Sequence, residues 1–363
     1  MQFIDLKKQH ELIQDKIQTR FDEVMSHGMY IMGPEVAELE DKLAEYVGCK
    51  HAIGCANGTD ALTIALDALG VGPGDEVIST PFTFFATGET IAINGAKLVF
   101  ADIDPDTFNI DADLIEAKIT SKTKVIIPVS LYGQMADMNK IMQIAKKYGL
   151  TVIEDAAQSF GATQAGSRSC SVATISTTSF FPAKPLGCYG DGGALFTNDD
   201  DFAKKIKEIR NHGQSKRYTH TRLGYNSRLD TMQAAFLLEK LAIFPNEVEL
   251  RQKIAKRYDE AFKGIVKVVA IAEGHTSVYA QYTIEVDNRD EFLAKMKHDG
   301  IPTAVHYPIP IHHQPIFKEL GYTNIEMPLA DRASQRVVSL PMHPYLDAET
   351  QDKIIESVLK NKE

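Results

Sequence analysis

The chain has 363 residues, 44% of them apolar and 24% charged, an ordinary globular balance that excludes a disordered, collagen-like or coiled-coil chain. Its 39 basic and 49 acidic residues leave a net charge of −10, the wrong sign for a general nucleic-acid binder. The length predicts two to three domains, with enough interior to hold a core without disulfides or metal.

Apolar runs such as Val125 to Leu131 are strand-sized and fall far short of the ~20 residues of a bilayer span. Met1 to Arg20 is amphipathic and charged, without the apolar centre of a signal peptide. Cys49, Cys55, Cys170 and Cys188 are scattered and include no Cys-x-x-Cys, which suits a reducing cytoplasm and gives no zinc pattern. Cys188 reads as a small packing residue rather than a nucleophile.

The spacing of apolar residues predicts a helix over Ala61 to Leu69, a turn at Gly72-Pro-Gly-Asp75 and a strand from Glu76 to Thr80. A helix over Phe84 to Asn94, a strand over Lys97 to Asp102 and a short helix over Leu114 to Ile119 follow. Next come a buried strand over Lys124 to Leu131, a helix over Met138 to Tyr148 with lysines near its C-terminus, and a strand over Leu150 to Ile153. Strands alternating with helices of this length imply βαβ units and a mostly parallel sheet covered on both faces. The pattern changes near residue 240. A charged helix over Glu247 to Phe262 leads to strands at Val278 to Val286, Thr303 to Tyr307 and Val337 to Leu340, with helices at Asp290 to His298 and Ala348 to Lys360. That is a small α+β unit, so the predicted division is 1–245 and 246–363. The first thirty residues pack either on the second domain or on a partner subunit; the sequence leaves both open.

Three stretches can carry chemistry. In Asn57-Gly-Thr-Asp60 a glycine opens a helix, whose first N–H groups would hold a phosphate; a plain helix start capped by Thr59 or Asp60 is the alternative. In Glu154-Asp-Ala-Ala-Gln158, Asp155 ends a predicted parallel strand, where open α/β sheets bind ligands. It meets a cation there or caps the next helix. In Ser179-Phe-Phe-Pro-Ala-Lys-Pro185, Lys184 is the only charged residue between Arg168 and Asp191 and stands between two prolines. A desolvated lysine is nucleophilic toward an aldehyde; a surface lysine is the bland alternative. Gly190-Asp-Gly-Gly193 supplies tight backbone curvature beside it. A phosphate cup, a carboxylate for a ring cation and an isolated lysine together match one ligand, pyridoxal 5′-phosphate.

With these residues in place the chain resembles the pyridoxal-phosphate-dependent nucleotide-sugar aminotransferases of the DegT/StrS group. The likeness covers essentially the whole chain. It is carried by Gly33-Pro-Glu-Val36, Asn57-Gly-Thr-Asp-Ala-Leu62, Pro81-Phe-Thr-Phe-Phe-Ala-Thr87, Glu154-Asp-Ala-Ala-Gln158, Ser179-Phe-Phe-Pro-Ala-Lys184, Gly190-Asp-Gly-Gly193, Gly224-Tyr-Asn-Ser-Arg-Leu-Asp230 and His306-Tyr-Pro308. The resemblance implies an α/β chain of the aspartate aminotransferase type (fold type I). It has a large mixed, mostly parallel sheet domain that binds the cofactor and a small C-terminal α+β domain. It implies pyridoxal 5′-phosphate as cofactor, with pyridoxamine 5′-phosphate as the amine-carrying form. Lys184 is implied as the Schiff-base lysine, Asp155 as the partner of the pyridine nitrogen, and Gly58, Thr59 and Ser179 as phosphate contacts. Phe84 would stack on the ring, unless it is core, and Gln158 would add a cofactor contact. Asn226 would reach the phosphate of the neighbouring subunit, which implies a homodimer with shared sites; otherwise it is a turn residue. A lysine at 184, where some relatives carry histidine and dehydrate, favours transamination.

Asn211 to Tyr218, Asn226 to Asp230, Val278 to Tyr282, Pro302 to Pro308 and Ser339 to Tyr345 look closest to family members that aminate C3 of a UDP-linked 2-acetamido-2-deoxy-3-oxo-glucuronate. The implied donor is L-glutamate and the implied setting bacterial lipopolysaccharide O-antigen synthesis in the cytoplasm. Arg228 would hold the uronate carboxylate, or pair with Asp230, and His306 and Tyr307 would contact the sugar. His312 and His313 read as surface or rim residues rather than ligands. The alternatives are amination of a 4-keto-6-deoxy or neutral 3-keto sugar nucleotide and, more remotely, a pyridoxal-phosphate-sensing regulator. No nucleic acid, membrane or metal is expected.

Overall fold

The computed structural model describes residues 1–362. Its N-terminal part runs α1 (Leu6–His27), α2 (Pro34–Val47), β1 (His51–Cys55), α3 (Gly58–Ala68), β2 (Glu76–Ser79), α4 (Phe85–Ile93), β3 (Lys97–Phe100), β4 (Thr123–Ile127), α5 (Met138–Tyr148) and β5 (Thr151–Asp155). A two-strand ribbon, β6 (Thr163–Gln164) and β7 (Ser167–Arg168), precedes β8 (Ile175–Ser179), β9 (Gly193–Thr197) and α6 (Asp200–Ile209). A second ribbon, β10 (Gln214–Lys216) and β11 (Thr219–His220), leads to α7 (Thr231–Phe262).

Seven of these strands form one sheet in the order β1-β9-β8-β5-β4-β2-β3. β9 runs antiparallel to both neighbours, and the other contacts within β8-β5-β4-β2-β3 are parallel. Side chains alternate across a strand, so each strand feeds two cores. Val77, Val125 and Ile153 pack with Leu62, Leu66 and Ile91 on one face. Ile78, Ile126 and Val152 pack with Ile141 and Ile144 on the other, where Phe196 also meets Leu39, Leu43 and Phe244. Burial on both faces is why these strands read as continuous apolar runs.

The C-terminal part contains β12 (Lys267–Val268), β13 (Tyr282–Glu285), α8 (Arg289–His298), α9 (Pro315–Glu319), α10 (Pro328–Arg336), β14 (Val337–Leu340) and α11 (Ala348–Asn361). Its antiparallel sheet, β12-β13-β14, closes over Tyr258, Phe262, Phe292, Ile354 and Val358. The predicted division at 245/246 falls inside α7, which is one helix from Thr231 to Phe262 with Pro245 within it. Leu237 to Phe244 pack in the large-sheet core and Ile254 to Phe262 in the C-terminal core, so α7 itself joins the two.

The first thirty residues pack on that joining helix. Gln9 Nε2 donates to Glu247 Oε1 at 2.8 Å, and Arg20 binds Glu239 at 2.9 Å and Glu38 at 3.3 Å. Several expected elements differ. The short helix expected over Leu114 to Ile119 is a pair of 3-10 turns, Ala112–Leu114 and Glu116–Lys118, and the strand expected over Val278 to Val286 forms only at Tyr282–Glu285. Thr303 to Tyr307 is not a strand but makes a single bridge, Ala304 to Ser339; the flanking Pro302 and Pro308 have no N–H with which to extend a ladder past either end. The strand expected to reach Leu131 stops at Ile127, before Pro128. Among the described residues no helix is long and apolar enough to cross a membrane.

Candidate active site

α3 begins at Gly58, and its cap is Asn57, whose side chain accepts from Asp60 N at 2.8 Å. Neither Thr59 nor Asp60 serves as the cap. The next two N–H groups, of Gly58 and Thr59, have no partner within the helix and remain for an anion. Ser179, the last residue of β8, lies against them: a Cβ on Gly58 would sit 2.7 Å from Ser179 Cβ. A Cβ on Gly193 would likewise meet the Asn57 carbonyl at 2.5 Å. Glycine at these two positions is what lets three backbone segments converge on one cup.

Asp155 ends β5, where β8 and β4 flank it. Its Oδ2 accepts from Thr87 Oγ1 at 2.8 Å and its Oδ1 from Ala157 N at 3.2 Å. Burial pushes this carboxyl above its ordinary value, while Thr87, the Ala157 N–H and the Lys184 charge hold it down. Glu154, one residue earlier, faces the opposite side of the strand and is fully buried among Ser130, Ser169, Ser176 and the Cys170 N–H. The two adjacent carboxylates therefore do different work: Glu154 ties the sheet to the β6–β7 region and Asp155 faces the cavity.

Lys184 stands in the turn after β8, its backbone N–H bonded to the Phe181 carbonyl at 2.8 Å. Burial depresses its ammonium below the usual lysine range, and Asp155 opposes that shift. The Nζ atom makes no hydrogen bond or ion pair among the described residues. A desolvated amine without a partner, facing a buried carboxylate, is a nucleophile waiting for an electrophile.

These groups line one cavity of about 660 Å³ that holds Gly58, Thr59, Phe84, Asp155, Gln158, Ser179, Lys184, His306 and Tyr307. Phe84 is not a core residue: it is 56% exposed, at the start of α4, with its ring 6.0 Å from that of Tyr307. Gln158 is held at both ends of its amide, accepting from Tyr132 N at 2.9 Å and donating to Tyr307 Oη at 3.0 Å. His306 Nδ1 pairs with Ser339 Oγ of the C-terminal sheet at 2.9 Å. Burial, reinforced by the Lys184 charge, lowers the His306 pKa to about 4.

Two predicted residues lie outside this cavity. Asn226 is exposed and bridges to Asn211, and Arg228 donates to Asn211 Oδ1 at 3.1 Å. The cavity also takes in Phe3, Ile4, Thr87, Phe181, Asp191 and Gln281, to which the sequence assigns no role. Thr87 falls within the Pro81–Thr87 stretch, but its bond to Asp155 spans 68 positions and no local pattern signals it. His312 departs from the expected surface position: it is 2% exposed, packed edge-on against Phe100.

The cavity fits pyridoxal 5′-phosphate on its own chemistry. The helix start at Gly58 would receive an anion, the buried Asp155 carboxylate a ring cation, and the unpartnered Lys184 amine an aldehyde. Comparison with known proteins agrees. The model of the DegT/DnrJ/EryC1/StrS aminotransferase family matches residues 11–359. The UDP-2-acetamido-2-deoxy-3-oxo-D-glucuronate aminotransferase of Pseudomonas aeruginosa is 57% identical, over 99% of this chain and 100% of that protein. A DegT/DnrJ/EryC1/StrS aminotransferase from Brucella abortus superposes with a TM-score of 0.97 at 46% identity, covering 100% of this chain and 99% of that one. NtdA from Bacillus subtilis with bound cofactor PMP superposes with a TM-score of 0.90 at 34% identity, covering 95% and 81%. The chain belongs to the DegT/DnrJ/EryC1/StrS aminotransferase family and is a pyridoxal-phosphate-dependent aminotransferase.

Proposed function

We propose that the protein moves an amino group from L-glutamate to C3 of a UDP-linked 2-acetamido-2-deoxy-3-oxo-glucuronate, in the synthesis of bacterial surface polysaccharide. The observation that carries the transfer chemistry is Lys184, desolvated and unpartnered in the same cavity as Asp155. The choice of sugar rests on the full-length likeness to the Pseudomonas enzyme.

When bound, the cofactor supplies an aldehyde that exchanges for an amine and a ring that withdraws electrons. Gly58, Thr59 and Ser179 would hold its phosphate, Phe84 its ring face and Asp155 its ring nitrogen. Lys184 Nζ then acts as the base that takes the Cα proton of glutamate and as the acid that returns a proton to C3 of the sugar. One residue serves both halves because the two substrates bind in turn, with 2-oxoglutarate leaving before the keto sugar enters. His306 stays neutral at working pH and offers the sugar a hydrogen-bonding group without charge.

Asn226 and Arg228 lie outside their own chain's cavity, which supports a homodimer in which each serves the partner's site. Large apolar residues stand exposed in the same chain, among them Leu223 at 95% and Tyr218 at 80%. Arg228 is bonded to the neutral Asn211 amide and, among the described residues, pairs with no carboxylate, so its guanidinium is available to a substrate carboxylate. Four free cysteines support a reducing compartment. The test is release of 2-oxoglutarate from glutamate with a panel of keto sugar nucleotides. The 3-keto uronate should give the highest kcat/KM; a preference for a neutral or 4-keto sugar would overturn this assignment of substrate.

A further inference from the structure

Outside the cavity, one cluster of ligand atoms has no role in the transfer reaction. His312 and His313 end the short turn Ile311–His313, and Asp331 lies in the first turn of α10. Asp331 Oδ1 is 2.8 Å from His313 Nε2 and 3.1 Å from His312 Nε2, and the donor atoms of all three lie within 4.8 Å of one another. Two ligands of a tetrahedral ion bound at about 2.1 Å stand roughly 3.4 Å apart, so the trio is close to metal-ligand spacing.

The second observation is the state of His312. Its side chain is only 1% exposed, and neither ring nitrogen has an aligned hydrogen bond among the described residues; Asp331 Oδ1 is near Nε2 but out of line with it. A buried imidazole with no aligned hydrogen bond at either ring nitrogen is uncommon, because desolvation is then poorly compensated. His313 and Asp331 are partly exposed, with side-chain exposures of 45% and 32%, so an ion has a way in and room for water or a fourth ligand.

We propose that His312 Nε2, His313 Nε2 and Asp331 Oδ1 form a binding site for a divalent late first-row metal ion such as Zn²⁺. Two imidazoles and one carboxylate suit these ions and not Mg²⁺ or Ca²⁺, which prefer oxygen. The ion would tie the turn at 311–313 to α10. A few residues earlier the same segment carries His306 and Tyr307 into the active-site cavity, so the site is a clamp on that segment rather than part of the chemistry.

The experiment uses untagged, cofactor-loaded protein freed of metal by a chelator and dialysed against Zn²⁺, with metal content measured per chain. Wild type should retain one equivalent, and Zn²⁺ should raise its melting temperature. His313→Ala and Asp331→Asn, both at partly exposed positions, should fold with an unchanged cofactor absorption spectrum and bind Zn²⁺ at least tenfold more weakly. Co²⁺ should give a ligand-field absorption band in wild type that both variants lose. Equal metal content in wild type and variants, or none in either, overturns the proposal.

Discussion

Gln158 Nε2 donates to Tyr307 Oη at 3.0 Å, joining residues 149 positions apart. The other end of the same amide accepts from Tyr132 N at 2.9 Å, and the Tyr132 hydroxyl donates in turn to the His306 carbonyl. The four residues close a circuit that fixes the His306–Tyr307 segment over the end of β5. Tyr307→Phe removes the acceptor and leaves the Gln158 NH₂ buried without a partner. The expected cost is about 1–3 kcal/mol of stability, read as a fall in denaturation midpoint with an unchanged slope. KM for the keto sugar should rise more than kcat falls. A variant as stable as wild type would show that the circuit does not brace the segment.

Asp155→Asn keeps the shape of the side chain and one of its two accepted bonds, from Thr87 Oγ1 or from Ala157 N, but removes the negative charge. A neutral amide cannot hold a proton on the ring nitrogen of the cofactor. The protein should still fold and take up cofactor, while kcat falls about 10²–10⁴-fold, the range of a proton-managing group. A loss below tenfold would remove Asp155 from this role.

Much of the candidate site is legible in the sequence because its chemistry is local. Lys184 between two prolines, Asp155 at the end of an apolar run and Gly58 at a helix start each break a pattern within a few residues. What is not legible depends on distant pairing. The antiparallel β9 is inserted between β1 and β8, joining positions such as Gly193 and Cys55. The cap of α3 is Asn57 rather than Thr59 or Asp60, since cap choice follows backbone geometry that composition does not show. The burial of His312 comes from packing against Phe100 and α10, both distant along the chain, so its neighbours in sequence suggest only a rim position.

Lys240 offers a pH test of the loop behind Lys184. Its Nζ is buried, donates to the Gly187 carbonyl at 2.8 Å and lies 3.8 Å from the centroid of the Tyr189 ring. Burial lowers its pKa to about 8. Unfolded, the group titrates near about 10.4, so between these values the unfolded chain binds more protons than the folded one. Stability from this group therefore rises as pH climbs through that window and is lowest below it. Against Lys240→Met, which keeps an unbranched side chain, wild type should gain on the order of 2–3 kcal/mol across the window. Denaturant titrations of both proteins at several pH values measure the difference, and a flat difference would mean that Lys240 is not desolvated.

The placement of Arg228 outside its own cavity predicts complementation between two damaged proteins. Lys184→Ala lacks the proposed base, and Arg228→Ala lacks the proposed contact to the substrate carboxylate while retaining Lys184. If each site combines one chain's Lys184 with its partner's Arg228, a mixed dimer contains one intact site and one doubly damaged site. Random pairing makes half the dimers mixed, so co-expressed variants should recover roughly a quarter of wild-type activity, given a two-fold symmetric dimer. Each variant alone should be inactive or, for Arg228→Ala, show KM for the keto uronate raised about 10–100-fold, the loss of a charge-assisted pair. Recovery no greater than the average of the two separate variants would place Arg228 in its own chain's site or outside catalysis altogether.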